Sequence, residues 1–303
     1  MAYPPSEQAV ASARKDSLTS GPAAWFAEIR PLDWIKNVFV LAPLLFSGHL
    51  LTPGLVLNAL VGFAIFCALS SASYIFNDLF DLEGDRHHPA KAARPLVSGL
   101  IPLYKARIAT VVLALTGLAG SFVLNPRFGL VALVFVLLHI GYTLRMKDWV
   151  IVDILIISFG FVLRVLAGAT VVNVMPSAWI ILCTVLLSLF LGFSKRRQEL
   201  VLLGAASGAH RKVLRHYSLP LLDQMISAVL AATIVSYALY TVTNGPYQVY
   251  SVFFVLYGML RYLYLVHRHG QGERPAESFF TDLPLLLTVL GWGLFMFWDI
   301  YLS

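Results

Sequence analysis

Charge is what this chain most conspicuously lacks. Asp, Glu, Lys and Arg make up 13% of its 303 residues, and 58% are hydrophobic. Soluble domains carry about a quarter charged residues. A water-soluble fold this apolar would expose more hydrocarbon than its polar residues could cover, so the bilayer is the expected solvent. Cysteine is nearly absent too. Cys67 and Cys183 fall in apolar stretches, where they read as small buried hydrophobes that say nothing about redox compartment. No basic n-region, short apolar core and small-residue site opens the sequence, so no cleaved signal peptide is expected. Residues 1–22, rich in Ala, Ser and Pro, read as a disordered cytosolic tail ahead of a membrane domain at 23–303. Also missing are a Ser–His–Asp arrangement, a Walker loop and a dinucleotide fingerprint. His87 and His88 have no neighbours at zinc spacing. The net charge of +6 is scattered over several loops, which fits retention on one side of a membrane better than a nucleic-acid partner.

Long apolar runs, by contrast, are plentiful. Crossing the hydrocarbon core takes roughly 20 apolar residues. Nine runs qualify, at about 37–52, 55–76, 106–124, 128–145, 150–172, 177–194, 221–243, 247–266 and 283–301. The first is short and holds Pro43; Gly and Pro mark most of the breaks. The expected fold is therefore an all-α polytopic membrane protein with nine transmembrane helices. Of the 22 Lys and Arg, 20 fall in the tail and the alternate loops of one side. That bias places the N-terminus in the cytosol and the C-terminus outside. Nearly all acidic residues sit on the same side, in long loops at about 77–105, 195–220 and 267–282, while the opposite loops are short and almost chargeless. An enzyme with its polar site at the cytosolic face would look like this. A transporter of lipid-linked intermediates would more often show polar features on both faces or broken helices at the midplane.

Three clusters carry the chemistry. Asn77, Asp78, Asp81 and Asp85 end the second run at spacings of three and four, which put them on one helical face. Carboxylates so placed repel unless a cation sits among them, and Mg²⁺ takes oxygen ligands while sharing its shell with phosphates. Arg86, Lys91 and Arg94 follow as candidates for an anionic substrate. The second cluster is Tyr142, Arg145, Lys147 and Asp153. Lys147 suits a phosphate as a point charge and Tyr142 as a donor, although a positive-inside anchor has the same composition. Arg164 lies eleven residues after Asp153 on the same face. An Arg near mid-membrane faces a cavity or a partner, and Gly160 and Gly168 beside it leave room for a ligand or a close helix. The third cluster, Lys195-Arg196-Arg197-Gln198-Glu199, closes the sixth run. It fits either anionic lipid or a phosphate clamp, with Glu199 a candidate for a sugar hydroxyl. Before the first run, Trp25, Phe26 and Trp34 suggest an interfacial helix whose Lys36 meets a lipid phosphate.

Asn77-Asp78-x-x-Asp81-x-x-x-Asp85 resembles the first acidic signature of the UbiA superfamily of intramembrane prenyltransferases. Arg30-Pro31, Trp34-x-Lys36-Asn37, Lys147, Asp153, Leu163-Arg164-x-x-Ala167-Gly168 and Lys195-Arg196-x-x-Glu199-Leu200 are similar to the subfamily of decaprenyl-phosphate phosphoribosyltransferases. The likeness spans nearly the whole membrane region. It implies nine helices around a cavity that opens to the cytosol and laterally to the bilayer of the inner membrane. It also implies Mg²⁺-dependent transfer of 5-phosphoribosyl from phosphoribosyl diphosphate to a polyprenyl phosphate. On that reading Asp78, Asp81 and Asp85, helped by Asn77, hold the metal on the donor diphosphate, and Asp153 stabilises or orients the ribose. Arg164, Lys195 and Arg196 take the sugar phosphate and Lys36 the lipid phosphate. Aromatic prenyltransferases of the superfamily carry a second Asp-rich motif where this chain has Lys195-Arg196-Arg197. They are the alternative reading, with isoprenoid diphosphate as donor.

Overall fold

The computed structural model describes residues 21–86, 91–203, 212–245, 247–268 and 280–303. The tail at 1–20, His87, His88 and most of the 267–282 loop lie outside the described residues. In chain order the helices are α1 (Pro22–Glu28), α2 (Ala42–Phe46), α3 (Pro53–Phe80), α4 (Leu82–Arg86), α5 (Leu103–Leu124), α6 (Pro126–Leu144), α7 (Val152–Val172), α8 (Ala178–Leu203), α9 (Leu219–Asn244), α10 (Val252–Arg268) and α11 (Leu283–Tyr301). Eight of these helices, α3 and α5 to α11, are long and apolar enough to cross a membrane, α10 being lengthened by the turn Gln248–Ser251. No strand occurs among the described residues.

Punctuation in the sequence sets the helix starts. Proline stands in the first turn of α3, α6, α9 and α11, where its missing N–H would have had no partner anyway. Asn125, Ser218 and Asp282 cap α6, α9 and α11 by accepting backbone N–H groups at 2.8, 3.4 and 2.9 Å. Asp282 also pairs with Arg261 at 2.7 Å, which ties α11 to α10.

The first apolar run departs from expectation. Instead of one helix at 37–52, the chain forms a ten-residue 3₁₀ segment, Pro31–Val40, and then the five-residue α2. Together these rise about 27 Å. Arg30 at their start bonds Asp78, whereas Tyr301 at the far end of α11 donates to the carbonyl of Leu45 at 2.8 Å. The segment thus runs from the acidic end of α3 to the opposite end of the bundle. It breaks where Pro43 enters the first turn of α2. There it lies hard against α7: a Cβ on Gly168 would overlap the Val40 carbonyl.

Helix α7 is the centre of the bundle, packed against α3, α6, α8 and the 3₁₀ segment, with most of its residues buried. Apolar clusters flank it on two sides, one around Phe66, Phe128 and Phe135, the other around Phe190, Leu222 and Leu265. Between them lies a cavity of about 2270 Å³.

Candidate active site

One end of the cavity is polar and the rest is greasy. Asn77, Asp81, Asp85, Lys91, Arg94, Lys147, Lys195 and Glu199 line the first part, and Phe39, Phe46, Trp179, Phe254 and Trp292 are among the residues that line the other.

The acidic cluster stands at the C-terminus of α3, where the backbone carbonyls already make the potential negative. Three carboxylates there need positive charge, and four cations from three segments bring it: Arg30, the loop with Lys91 and Arg94, and Lys147. Asp78 is fully buried and does not line the cavity. Its Oδ2 meets Arg30 and its Oδ1 accepts from Arg94 at 3.0 Å. Asp85 accepts from the same Arg94 nitrogen at 2.7 Å and pairs with Lys91 at 3.2 Å. Asp81, more exposed, bonds Lys147 and receives the Asn77 amide at 3.0 Å. Arg30 reaches Asp78 because its backbone is left-handed, φ 53°, at the corner between α1 and the 3₁₀ segment. Its guanidinium also lies 5.2 Å from the Tyr74 ring centre. Arg86 is exposed and does not line the cavity.

The donors at Asn77, Asp81 and Asp85 are the hard oxygens that Mg²⁺ takes, and all three line one wall of the cavity. By chemistry and placement they fit such an ion. Each carboxylate is neutralised by Lys or Arg, and among the described residues no three acidic, His or Cys side chains converge. An ion would replace Lys147 on Asp81 and Lys91 on Asp85.

A second network closes the opposite wall. Arg196, 1% exposed, donates to Asp153 at 2.7 Å, to Glu199 at 2.7 Å and to Tyr142 at 3.4 Å. Asp153 is fully buried and does not line the cavity. Its second oxygen accepts from the Tyr217 hydroxyl at 3.1 Å, and that hydroxyl accepts the Ile151 N–H at 2.7 Å. Ile151 has φ 69°, a strained conformation for a β-branched residue. Tyr217 therefore holds both the turn that follows Lys147 and the carboxylate that fixes Arg196. Lys195, at 4.0 Å from Glu199, is the more exposed cation of this wall.

Arg164 belongs to neither network. It donates to Asn37 Oδ1 at 2.8 Å and to the Gly160 carbonyl at 2.9 Å, between the rings of Phe135 and Phe161. Lys36 pairs with Asp33 at 2.5 Å and lies 5.6 Å from the Tyr74 ring centre. The structure groups Arg164 with Lys36 rather than with Lys195 and Arg196.

Sequence reasoning missed Glu28, Tyr74, His139 and Tyr217. Glu28 on α1 is buried and accepts the Leu96 N–H at 3.1 Å, anchoring the loop that carries Arg94. Burial, with Asp78 close by, pushes its carboxyl up to about 7. A Glu at an amphipathic helix end was the only hint.

A helical bundle with a charge-balanced polar end and a long apolar cavity is the frame of an integral-membrane transferase. The chain belongs to the UbiA prenyltransferase family, whose sequence profile matches residues 38–290. It is 32% identical over 290 residues to the decaprenyl-phosphate phosphoribosyltransferase of Mycobacterium tuberculosis, covering 92% of this chain and 96% of that one. To the enzyme of the same name from Corynebacterium glutamicum it is 32% identical over 276 residues, 87% of this chain and 82% of that one. Among solved structures, a UbiA homolog from Archaeoglobus fulgidus bound to GPP and Mg²⁺ has the same fold. Its TM-score is 0.72 at 18% identity, with 91% of this chain and 99% of that one covered.

Proposed function

We propose that this protein transfers 5-phosphoribosyl from phosphoribosyl diphosphate to a polyprenyl phosphate of the decaprenyl phosphate kind and releases diphosphate. The observation that carries the reading is the wall across from the acidic loop, where Lys195 is part-exposed and Arg196 is held in place by Asp153 and Glu199. Where a second acid-rich metal site would serve an isoprenoid diphosphate, Lys195 and the buried Arg196 stand instead, a wall suited to a donor with a phosphate at each end.

The chain's own residues do the following. Lys91 and Lys147 leave their carboxylates and bind the donor diphosphate, while Arg94 stays on Asp78 and presents its charge to the cavity. Arg196 fixes Glu199 toward a ribose hydroxyl, and Lys195 takes the 5-phosphate. Lys36 receives the phosphate of the lipid acceptor, whose tail lies in the apolar part of the cavity. That phosphate is already anionic at neutral pH, so no general base is needed. One of its oxygens forms the new bond to ribose C1 as the bond from C1 to the diphosphate oxygen breaks, and the diphosphate leaves with the electron pair. Attack from the opposite face inverts C1. Asn77, Asp81 and Asp85 would hold magnesium, which when bound neutralises charge on the leaving diphosphate. Asp78, with both oxygens taken by arginines, anchors Arg30 and Arg94.

In topology, the 31–46 segment and the eight long helices make nine crossings of the inner membrane. The N-terminus and the polar end face the cytosol, and the cavity opens sideways to lipid. Membranes containing the protein, given phosphoribosyl diphosphate labelled in the ribose and polyprenyl phosphate, should move label into an organic-extractable lipid. Transfer of an isoprenoid from its diphosphate to an aromatic acceptor, with no labelled lipid, would overturn the reading.

A further inference from the structure

One helical turn below the acidic network is a second polar patch, and its charge is not closed by the protein. Arg164 is buried midway along α7, yet its hydrogen bonds go to neutral acceptors: Asn37, the Gly160 carbonyl and Ser70. The carboxylate acting on it, Asp33, is already bonded to Lys36. A cation left this way inside a membrane is costly unless an anion reaches it.

Two uncharged groups complete the patch. His139 Nε2 is buried without a hydrogen-bond partner, and both Arg164 and Lys36 are close enough for their charge to act on the ring. The ring itself is fixed, packed 4.3 Å from that of Phe135. The Tyr74 hydroxyl has no protein partner among the described residues, and the ring lies under Lys36. All four side chains line the cavity. Tyr74 stands three residues before Asn77 on α3 and His139 three before Tyr142 on α6. Each is therefore about 5 Å deeper than the acidic network, a spacing that leaves room for a ribose between two phosphates.

We propose that Lys36, Arg164, His139 and Tyr74 form the subsite for the terminal phosphate monoester of the lipid acceptor, with His139 and Tyr74 selecting phosphate over alcohol. The proposal rests on the acceptor assigned above. Two cations meet the anionic oxygens, and Nε2–H and the phenol donate to the remaining lone pairs. An uncharged polyprenol would leave Arg164 uncompensated, so it should bind far more weakly.

The test uses the purified protein in lipid nanodiscs. His139→Phe keeps the ring packed on Phe135 and removes the nitrogen, while His139→Gln returns an N–H of similar reach. His139→Phe should raise KM for polyprenyl phosphate about ten-fold, the loss of one charge-assisted hydrogen bond, with KM for phosphoribosyl diphosphate within about two-fold of wild type. His139→Gln should recover most of the loss. Tyr74→Phe, which deletes a single oxygen, should raise the same KM and serves if His139→Phe does not fold. Polyprenyl phosphate, but not polyprenol, should raise the melting temperature of wild type, and His139→Phe should lose that rise. A folded His139→Phe protein with unchanged acceptor KM, or with the donor KM raised instead, would overturn the subsite. Phosphate-dependent, His139-dependent stabilisation in a wild-type protein that transfers no phosphoribose would leave the subsite standing and refute the reaction.

Discussion

Replacing Asp153 by Asn separates two roles for this carboxylate. The sequence placed it near the ribose; the structure buries it behind the cavity wall, 2.7 Å from Arg196. Both partners are almost fully buried. Removing one member of such a pair costs about 3–5 kcal/mol when nothing else meets the stranded charge. Here Glu199 still meets Arg196 at 2.7 Å, and an Asn oxygen can still accept from Nε. The expected loss is therefore smaller, about 2 kcal/mol, near the worth of one hydrogen bond to a charged group. For a chain of this size that is a fall of about 4–6 °C in melting temperature, readable by a thermal-unfolding assay in detergent. Turnover should suffer less, within about ten-fold, because no transition-state contact is removed; losing a direct electrostatic stabiliser costs about 10²–10³. Tyr217→Phe, which leaves Asp153 and Ile151 each short of one partner, should reproduce part of the melting loss. A wild-type melting temperature with kcat down about a thousand-fold would put Asp153 against the reacting sugar and refute a positioning role.

Three further outcomes are expected. Gly168→Ala should unfold or grossly destabilise the protein, because the added methyl overlaps the Val40 backbone carbonyl; detergent-solubilised yield and melting temperature report it, and a wild-type value would show the 3₁₀ segment free to move. Asp81→Asn should nearly abolish magnesium-stimulated turnover and leave melting close to wild type, since Asp81 is the most exposed of the three acids in its ion pairs; wild-type rates across a magnesium titration would refute a metal role. Glu28→Gln tests the buried carboxyl. Its folded pKa of about 7 lies above the ordinary 4.5, so its stability contribution is whole below pH 4.5 and is lost as pH rises through 7. The amide cannot ionise and still accepts from Leu96, so the variant should match wild type in stability near pH 4.5 and exceed it at pH 8, by about 3 kcal/mol. Parallel melting curves at both pH values would count against it.

Apolar run length and the spacing of acids made the membrane fold, eight spans and the face bearing Asn77, Asp81 and Asp85 legible. Three things were not. Periodicity says which residues share a face but not what meets them, so Asp78 looked like a metal ligand when two arginines, 48 and 16 residues away, take both its oxygens. The first run read as an α-helix because hydropathy does not distinguish 3.6 residues per turn from 3.0; the deciding contact, Val40 against Gly168, is tertiary. Tyr217 and His139 carry no motif. One is a single aromatic beyond a helix end, the other a lone His in an apolar span, and only the fold sets the first beside Asp153 and the second beside Arg164.

The three acids of the first loop thus differ in what they can give up. Asp78 sits without solvent between Arg30 and Arg94, so releasing either would strand a buried charge. Asp81 is part-exposed to the cavity and paired with one flexible lysine, with the Asn77 amide on its other oxygen, and Asp85 shares Arg94 while Lys91 reaches it from a part-exposed position. An incoming diphosphate and a divalent ion can take those lysines and carboxylates in exchange, so charge at this end stays balanced throughout binding. Arg164 has no such exchange partner. Its countercharge has to arrive with a substrate, which is why the acidic loop can close on its own lysines while the deeper patch is completed only by an anion from the cavity.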